Sequence, residues 1–189
     1  MQLRLYHTGY QEIQHPDVHY GRKNADFGQG FYLTADMDFA VRWAHPRKGK
    51  DIFINSYILD LSGLKIHVFQ RDVSWFSYLH ANRNWQADHL DADVIRGPIA
   101  NDTIFDTLGI ISSGILSKEE AMRLLMIGPA YEQIALKTQA AADHLHWLGS
   151  QILHSQDLLA AMETKAKEEE SYQKEFAAAL GEIEQDEDD

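Results

Sequence analysis

Hydrophobic and polar residues alternate from Gln2 to Tyr6, which predicts a strand that ends in a turn at His7-Thr8-Gly9. Residues 10–30 are polar and rich in Gly, Asn and Asp, and read as a loop. Phe31-Tyr32-Leu33 is a short apolar strand. Thr34 or Asp36 then caps a helix whose apolar positions Met37, Ala40, Val41 and Ala44 recur at helical spacing, with Pro46 and Gly49 ending it. A second clear strand runs from Ile52 to Leu59. Trp75, Phe76 and Leu79 mark a helix, and Asp93-Val94-Ile95 a short buried strand closed by Gly97-Pro98.

Ser117-Lys118-Glu119-Glu120 has the form of a capping box, in which Ser and Glu three apart satisfy amide donors at a helix start. Ala121, Leu124 and Leu125 follow on one face, and Gly128-Pro129 breaks the helix. Ile134-Ala135-Leu136 reads as a strand, followed by an Ala-rich helix from about Thr138 to Trp147. From about Gln156 the chain reads as one helix with Leu158, Leu159, Met162, Ala166, Phe176 and Leu180 as apolar positions. Short strands alternating with helices, without regular βαβ spacing, predict an α+β fold. The expected division is a globular domain over residues 1–155 and an acidic, largely helical extension over 156–189.

Charge sharpens that division. The formal net charge is −12, and twelve acidic residues against three lysines fall between 156 and 189, so three-quarters of it sits in the tail. The nearly neutral remainder does not favour non-specific nucleic-acid binding, although Arg42, Arg47, Lys48 and Lys50 lie close in sequence. The hydrophobic share of 44% is enough for a real core. With no cysteine, disulfides, thiolate metal sites and cysteine nucleophiles are excluded. No basic leader or long apolar segment is visible, so the expected setting is cytoplasmic, with no membrane span.

The residues that carry candidate chemistry are His7, Tyr32 and Gln133, which the pattern places in that order at three strand ends. Splitting NAD at its nicotinamide bond needs the ribose held while a cationic, oxocarbenium-like centre develops. A His can hydrogen-bond a ribose hydroxyl, a Tyr can stack on nicotinamide, and a carboxylate can stabilise the developing charge. Gly28-Gln29-Gly30-Phe31-Tyr32-Leu33-Thr34, followed by Ala35-Asp36 and the helix through Ala40 and Trp43, resembles the Gly-x-Gly-hydrophobic-Tyr segment of poly(ADP-ribose) polymerase-type His-Tyr-Glu transferases. Leu5-Tyr6-His7-Thr8-Gly9 resembles their first motif, with His-Thr-Gly in place of His-Gly-Ser/Thr. Gln133-Ile134-Ala135-Leu136 stands where those enzymes have Glu before an apolar strand.

The stretch from about 3 to 148 also resembles a bacterial ADP-ribosyltransferase-like family of unknown function (domain of unknown function 3990). The shared segments include Asp26 to Thr34, Trp43-Ala44, Asn82-Arg83, Asp93 to Asp102 and Gln133 to Thr138. The resemblance implies a split β-sheet core with surrounding helices and NAD as the substrate. It implies His7, Tyr32 and Gln133 as the catalytic set, and His7, Thr8, Gly9, Gly30, Phe31 and Tyr32 as residues holding NAD. Arg42 or Arg83 would help with the pyrophosphate, and Asp102 is the candidate second acid. It further implies the toxin of a bacterial toxin–antitoxin pair, with an unknown macromolecular target and a small antitoxin-like partner.

Gln for Glu at position 133 matters physically. An amide still hydrogen-bonds a hydroxyl but carries no charge and is no base. Loss of one electrostatic stabiliser costs about 2.7–4 kcal/mol of transition-state stabilisation. Three outcomes are consistent with it: catalysis with a different base, weak NAD hydrolysis, or NAD binding without chemistry. Glu132 is a poor substitute, because in a strand it points to the opposite face.

Other motifs have plainer readings. Gly28-x-Gly30 alone is a glycine turn, and gains weight only from His7 and Tyr32-Leu33-Thr34. Asp26-Phe27-Gly28 imitates the kinase metal-binding triplet without its companion motifs. His144-x-His146 lacks a completing carboxylate, and no metal is expected. Asn82-Arg83 either contacts a phosphate or ends its helix, and Asp93 and Asp102 flank a segment expected to shape the cleft. The acidic tail is a solvated extension, a docking segment for a partner, or an internal cover for the cleft.

Overall fold

A computed structural model of the 189-residue chain describes residues 1–100 and 116–187. Strand β1 (Gln2–Gly9) pairs antiparallel with β3 (Phe53–Asp60), and β3 with β7 (Leu145–Ile152), giving a three-stranded sheet. The second sheet has the order β2 (Phe31–Leu33), β6 (Glu132–Leu136), β5 (Val94–Pro98), β4 (Ile66–Val68), antiparallel except for the β4–β5 pair. Five α-helices stand among the described residues: α1 (Met37–Arg42), α2 (Val73–Arg83), α3 (Lys118–Leu125), α4 (Gln139–Ala142) and α5 (Ser155–Glu187). The architecture is mixed α+β with two sheets and a C-terminal helix.

The two sheets meet at an isolated bridge between Tyr6 and Thr34, whose backbone hydrogen bonds of 2.8 and 3.0 Å run both ways. That bridge sets the ends of β1 and β2 side by side. An apolar layer containing Leu5, Leu33, Tyr57, Ile134 and Leu136 fills the space between the sheets. Behind the second sheet, Phe27, Trp75, Leu79, Ala135, Leu124 and Ile183 join α2, α3 and α5 in another cluster. Strand β6 lies between both layers. Ile134 and Leu136 belong to one and Ala135 to the other, so this strand reads as an unbroken apolar run rather than an alternating one.

Local signals place most boundaries. Asp36, not Thr34, caps α1, accepting from the Phe39 amide at 3.0 Å, and the helix stops at Arg42, short of Ala44 and Pro46. The Ser117 box is formed in full: its hydroxyl accepts from the Glu120 amide, and the Glu120 carboxylate accepts from the Ser117 amide. Four expectations are corrected. Strand β1 does not end in a turn at His7-Thr8-Gly9 but runs on through them, paired with Asn55, Ile54 and Phe53 of β3. The Ala-rich helix is a single turn capped by Thr138, and Trp147 lies in β7, opposite Tyr57. The alanines keep their helical turn, and the residues after them, Leu145–Ile152, contain no alanine and pair along the side of β3 that β1 leaves open. Strand β5 continues through Gly97-Pro98, which is not a closing turn. On α5, Leu159 and Met162 face solvent, while Tyr172 and Ile183 are buried. The inward stripe is Lys165, Glu168, Tyr172, Phe176 and Ile183, at the three- and four-residue spacing of one helix face.

Candidate functional site

Gly28 and Gly30 place the loop that enters β2, each for its own reason. Gly28 has φ +71°, a left-handed conformation that L side chains rarely adopt. Gly30 runs so close to β6 that a Cβ there would lie 2.6 Å from the Leu136 carbonyl oxygen. The half-buried Lys137, the residue after β6, holds the same loop, its ammonium donating to the Phe27 carbonyl and pairing with Asp88 at 3.1 Å. Tyr32 is locked as well. Its hydroxyl donates to the Gly28 carbonyl at 2.6 Å and accepts from the Phe27 amide at 3.0 Å. Burial, reinforced by the nearby Asp26 charge, pushes its pKa well above the ordinary tyrosine value. Tyr32 is therefore neutral with its hydroxyl consumed by the loop, and only its ring is left to meet a ligand.

His7 sits where β1 meets β2. Its Nδ1 lies 2.8 Å from the Tyr32 carbonyl oxygen, and its ring packs on Phe31 at 4.4 Å between centroids. A carbonyl only accepts, so Nδ1 carries the proton and Nε2 keeps a lone pair. Burial lowers the His7 pKa, outweighing the hydrogen bond to Tyr32 that raises it, which favours the neutral ring.

His7, Thr8, Tyr32, Arg42 and Gln133 line one cavity of about 350 Å³. A second cavity of about 540 Å³ adjoins it, lined by Gly9, Gly30 and Phe31 together with His7 and Tyr32, which form a wall common to both. Seven of the ten sequence-derived site residues thus border two adjoining spaces, and Arg42 makes eight. Arg83 is not in the lining. It stands behind it, its Nε and one terminal nitrogen donating to Asp26 Oδ1 at 2.9 and 2.8 Å. Asp102 lies outside the described residues.

Arg42 reaches the cavity already engaged. Its guanidinium donates to both Glu168 oxygens at 2.8 Å and to the Tyr131 hydroxyl, and lies over the Tyr131 ring. Tyr131 in turn donates to Glu168 at 2.7 Å and stacks on Phe39. Its pKa is pushed up to about 12, by burial first and then by the bond to Glu168. Lys165 and Glu168 of α5 thereby form part of the cavity lining.

The remaining acidic candidates separate clearly. Glu132 points away from Gln133 and pairs with Arg96 at 2.8 Å, as strand alternation requires. Asp93 does not border the cavity. Its carboxylate accepts from the Lys65 amide and the Thr138 hydroxyl, tying together the chain entering β4 and the start of α4. Asp26, passed over in the sequence because its triplet only imitated a kinase motif, is a lining residue and only 8% exposed. Its Oδ2 lies 3.3 Å from Gln133 Nε2. Its sequence signals are its place two residues before the glycine turn and its position at the head of the shared Asp26-to-Thr34 segment. Among the described residues no group of three or more His, Asp or Glu could hold a metal ion, and no helix is long and apolar enough to cross a membrane.

Comparison with the curated proteins and with the solved structures gives no match. Residues 3–147, which carry every described side chain of the His7–Tyr32–Gln133–Asp26 constellation, match the family described as a protein of unknown function (DUF3990). The chain belongs to that family.

Proposed function

We propose that this chain is an NAD-dependent mono-ADP-ribosyltransferase-like enzyme, with an ADP-ribosyltransferase-like arrangement of its two sheets. The observation that carries this reading is the convergence of His7, Tyr32 and Gln133 from three different strands on one cavity. The sequence resemblance requires this convergence, and nothing local in the sequence produces it. The adjoining cavity adds a second argument. Two spaces that share His7 and Tyr32 as a wall suit a ligand with two nucleoside halves, and each has the size of a small-molecule site.

Each side chain has a task in splitting the bond between nicotinamide and ribose. His7 Nε2, a lone pair on a neutral ring, accepts a hydrogen bond from a ribose hydroxyl. The Tyr32 ring offers a face for nicotinamide. Gln133 supplies an amide oxygen toward the ribose that gains positive charge as the bond lengthens. Arg42 and Arg83 already hold carboxylates, so the exposed Arg22 at the same cavity is the better partner for the pyrophosphate. The toxin role, the macromolecular target and an antitoxin-like partner rest on the resemblance alone.

A second reading, nucleotide binding without turnover, is favoured by the uncharged amide at position 133. One experiment separates the two. The purified protein is incubated with NAD and cell extract, and nicotinamide release is followed together with ADP-ribose attached to macromolecules. Release with attachment, lost in His7→Ala and Tyr32→Ala, supports the transferase. Release without attachment indicates a hydrolase. Calorimetric NAD binding with no release supports the binding module.

A further inference from the structure

We infer that Asp26 is a positioning residue for the proposed NAD chemistry: it fixes the Gln133 amide so that its oxygen, not its nitrogen, faces the ribose. The inference rests on the functional reading above and gives a physical reason for Gln rather than Glu at position 133.

The argument follows from donors and acceptors. Arg83 has only donors and occupies Asp26 Oδ1. Asp26 Oδ2 is left for Gln133, 3.3 Å away. An ionised carboxylate only accepts, so Gln133 must turn its Nε2 toward Asp26. Its Oε1 is then directed away from Asp26, and it accepts no hydrogen bond among the described residues. Gln133 is 3% exposed, and both side chains line the cavity. A glutamate at 133 would set two carboxylates against each other at hydrogen-bond distance, which disfavours ionising both. Negative charge is therefore present beside the reacting ribose, but it resides on Asp26.

With both oxygens engaged, Asp26 is not free to act as a base. In the reaction, the bond between ribose C1′ and the pyridine nitrogen breaks, and its electron pair stays on the nitrogen, which leaves as neutral nicotinamide. A hydroxyl oxygen of the acceptor, or of water, bonds to C1′ and releases its proton to solvent. Gln133 Oε1 orients a ribose hydroxyl through this step, and the Asp26 charge lies behind it.

The decisive experiment is a swap. In Asp26→Asn, Arg83 still demands an oxygen, so the new amide nitrogen faces Gln133. Gln133 must turn over and present a donor to the cavity. Nicotinamide release is expected to fall about 100-fold in kcat with little change in KM. Gln133→Glu alone is also expected to lose activity. The double variant Asp26→Asn, Gln133→Glu restores a donor facing an acceptor and again presents an oxygen to the cavity, and is expected to recover to within about tenfold of the parent. A role confined to holding the loop would not be rescued by a change at Gln133. An Asp26→Asn protein as active as the parent, or a double variant no better than Asp26→Asn, overturns the inference while leaving the transferase reading intact.

The Gln133 side-chain amide protons give a readout that does not depend on turnover. They are expected to exchange slowly with solvent in the parent and rapidly in Asp26→Ala. Rapid exchange in the parent overturns the pairing itself. A parent that neither binds NAD nor releases nicotinamide overturns the functional reading and, with it, the ribose as the group that Gln133 addresses.

Discussion

The ring of His7 on β1 is fixed by the backbone of Tyr32 on β2, with Nδ1 2.8 Å from the Tyr32 carbonyl oxygen. One sheet thus determines the tautomer of a side chain carried by the other. The consequence for function is directional. Under the proposed function, His7→Ala removes the lone pair offered at Nε2 and is expected to lower nicotinamide release about 100-fold, within the usual range for a polar group acting at a transition state. Calorimetry with NAD on the same variant separates lost binding from lost turnover.

The same histidine sets a pH dependence. Burial holds its folded-state pKa below the ordinary 6.5, so the unfolded chain takes up the proton more readily. Its contribution to stability is fully present above about pH 6.5 and is lost as pH falls through the folded value. Urea midpoints measured from pH 7.5 downward should therefore decline below pH 6.5, and the decline should be shallower in His7→Asn. Under the proposed function, nicotinamide release should fall only at the acid end of that window, where the folded ring itself takes up the proton and Nε2 turns from acceptor into donor.

Gly30 and Gly181 offer a contrast in backbone crowding. A Cβ at Gly30 meets the Leu136 carbonyl oxygen at 2.6 Å, whereas one at Gly181 meets nothing within 4 Å. Gly30→Ala is expected to cost about 1–3 kcal/mol and to displace the loop carrying Asp26 and Tyr32. Gly181→Ala, in the helix α5, is expected to be neutral or to stabilise by up to about 1 kcal/mol. Chemical denaturation of the two variants tests both signs.

Helix α5 is part of the packed body. Tyr172 is 1% exposed, while Leu159 on the same helix is 60% exposed. Tyr172→Ala is expected to cost about 3–5 kcal/mol, as for other large buried aromatics, and Leu159→Ala to stay within about 0.5 kcal/mol. Equal effects from the two would show that the helix does not pack as described.

Glu168 brings α5 to the candidate site by holding Arg42 and Tyr131. Glu168→Gln removes the charge that occupies Arg42 and keeps the side-chain shape. If α5 covers the cleft, NAD should bind more tightly to this variant by calorimetry, with a rise of roughly threefold to thirtyfold from releasing one partly buried ion pair. Unchanged or weaker binding would assign the contact to holding the helix in place.

Much of the fold was legible in the sequence, because its signals are local. Alternation marked β1, β-branched and aromatic residues marked β3, and an intact Ser-x-x-Glu box marked the start of α3. Strand β7 was hidden because the alanines before it favour a helix, and its pairing with β3 joins residues about 90 positions apart. The stripe on α5 was misplaced at Leu159 and Met162 because nothing in an amphipathic run tells which face a distant core will cover.

For the site, the sequence by itself determined the residue types: a His toward the end of one strand, a Tyr after a glycine pair, and an amide at the head of another strand. Strand alternation alone also removed Glu132 from the same face as Gln133. What only the tertiary structure decided was which charges those residues meet. Asp26 reaches Gln133 across 107 positions, and Glu168 reaches Arg42 across 126. Hydrogen bonds act over about 3 Å, whereas a sequence orders residues only along the chain. Contacts between a loop, a strand and a terminal helix therefore exist only once the two sheets and α5 have packed together.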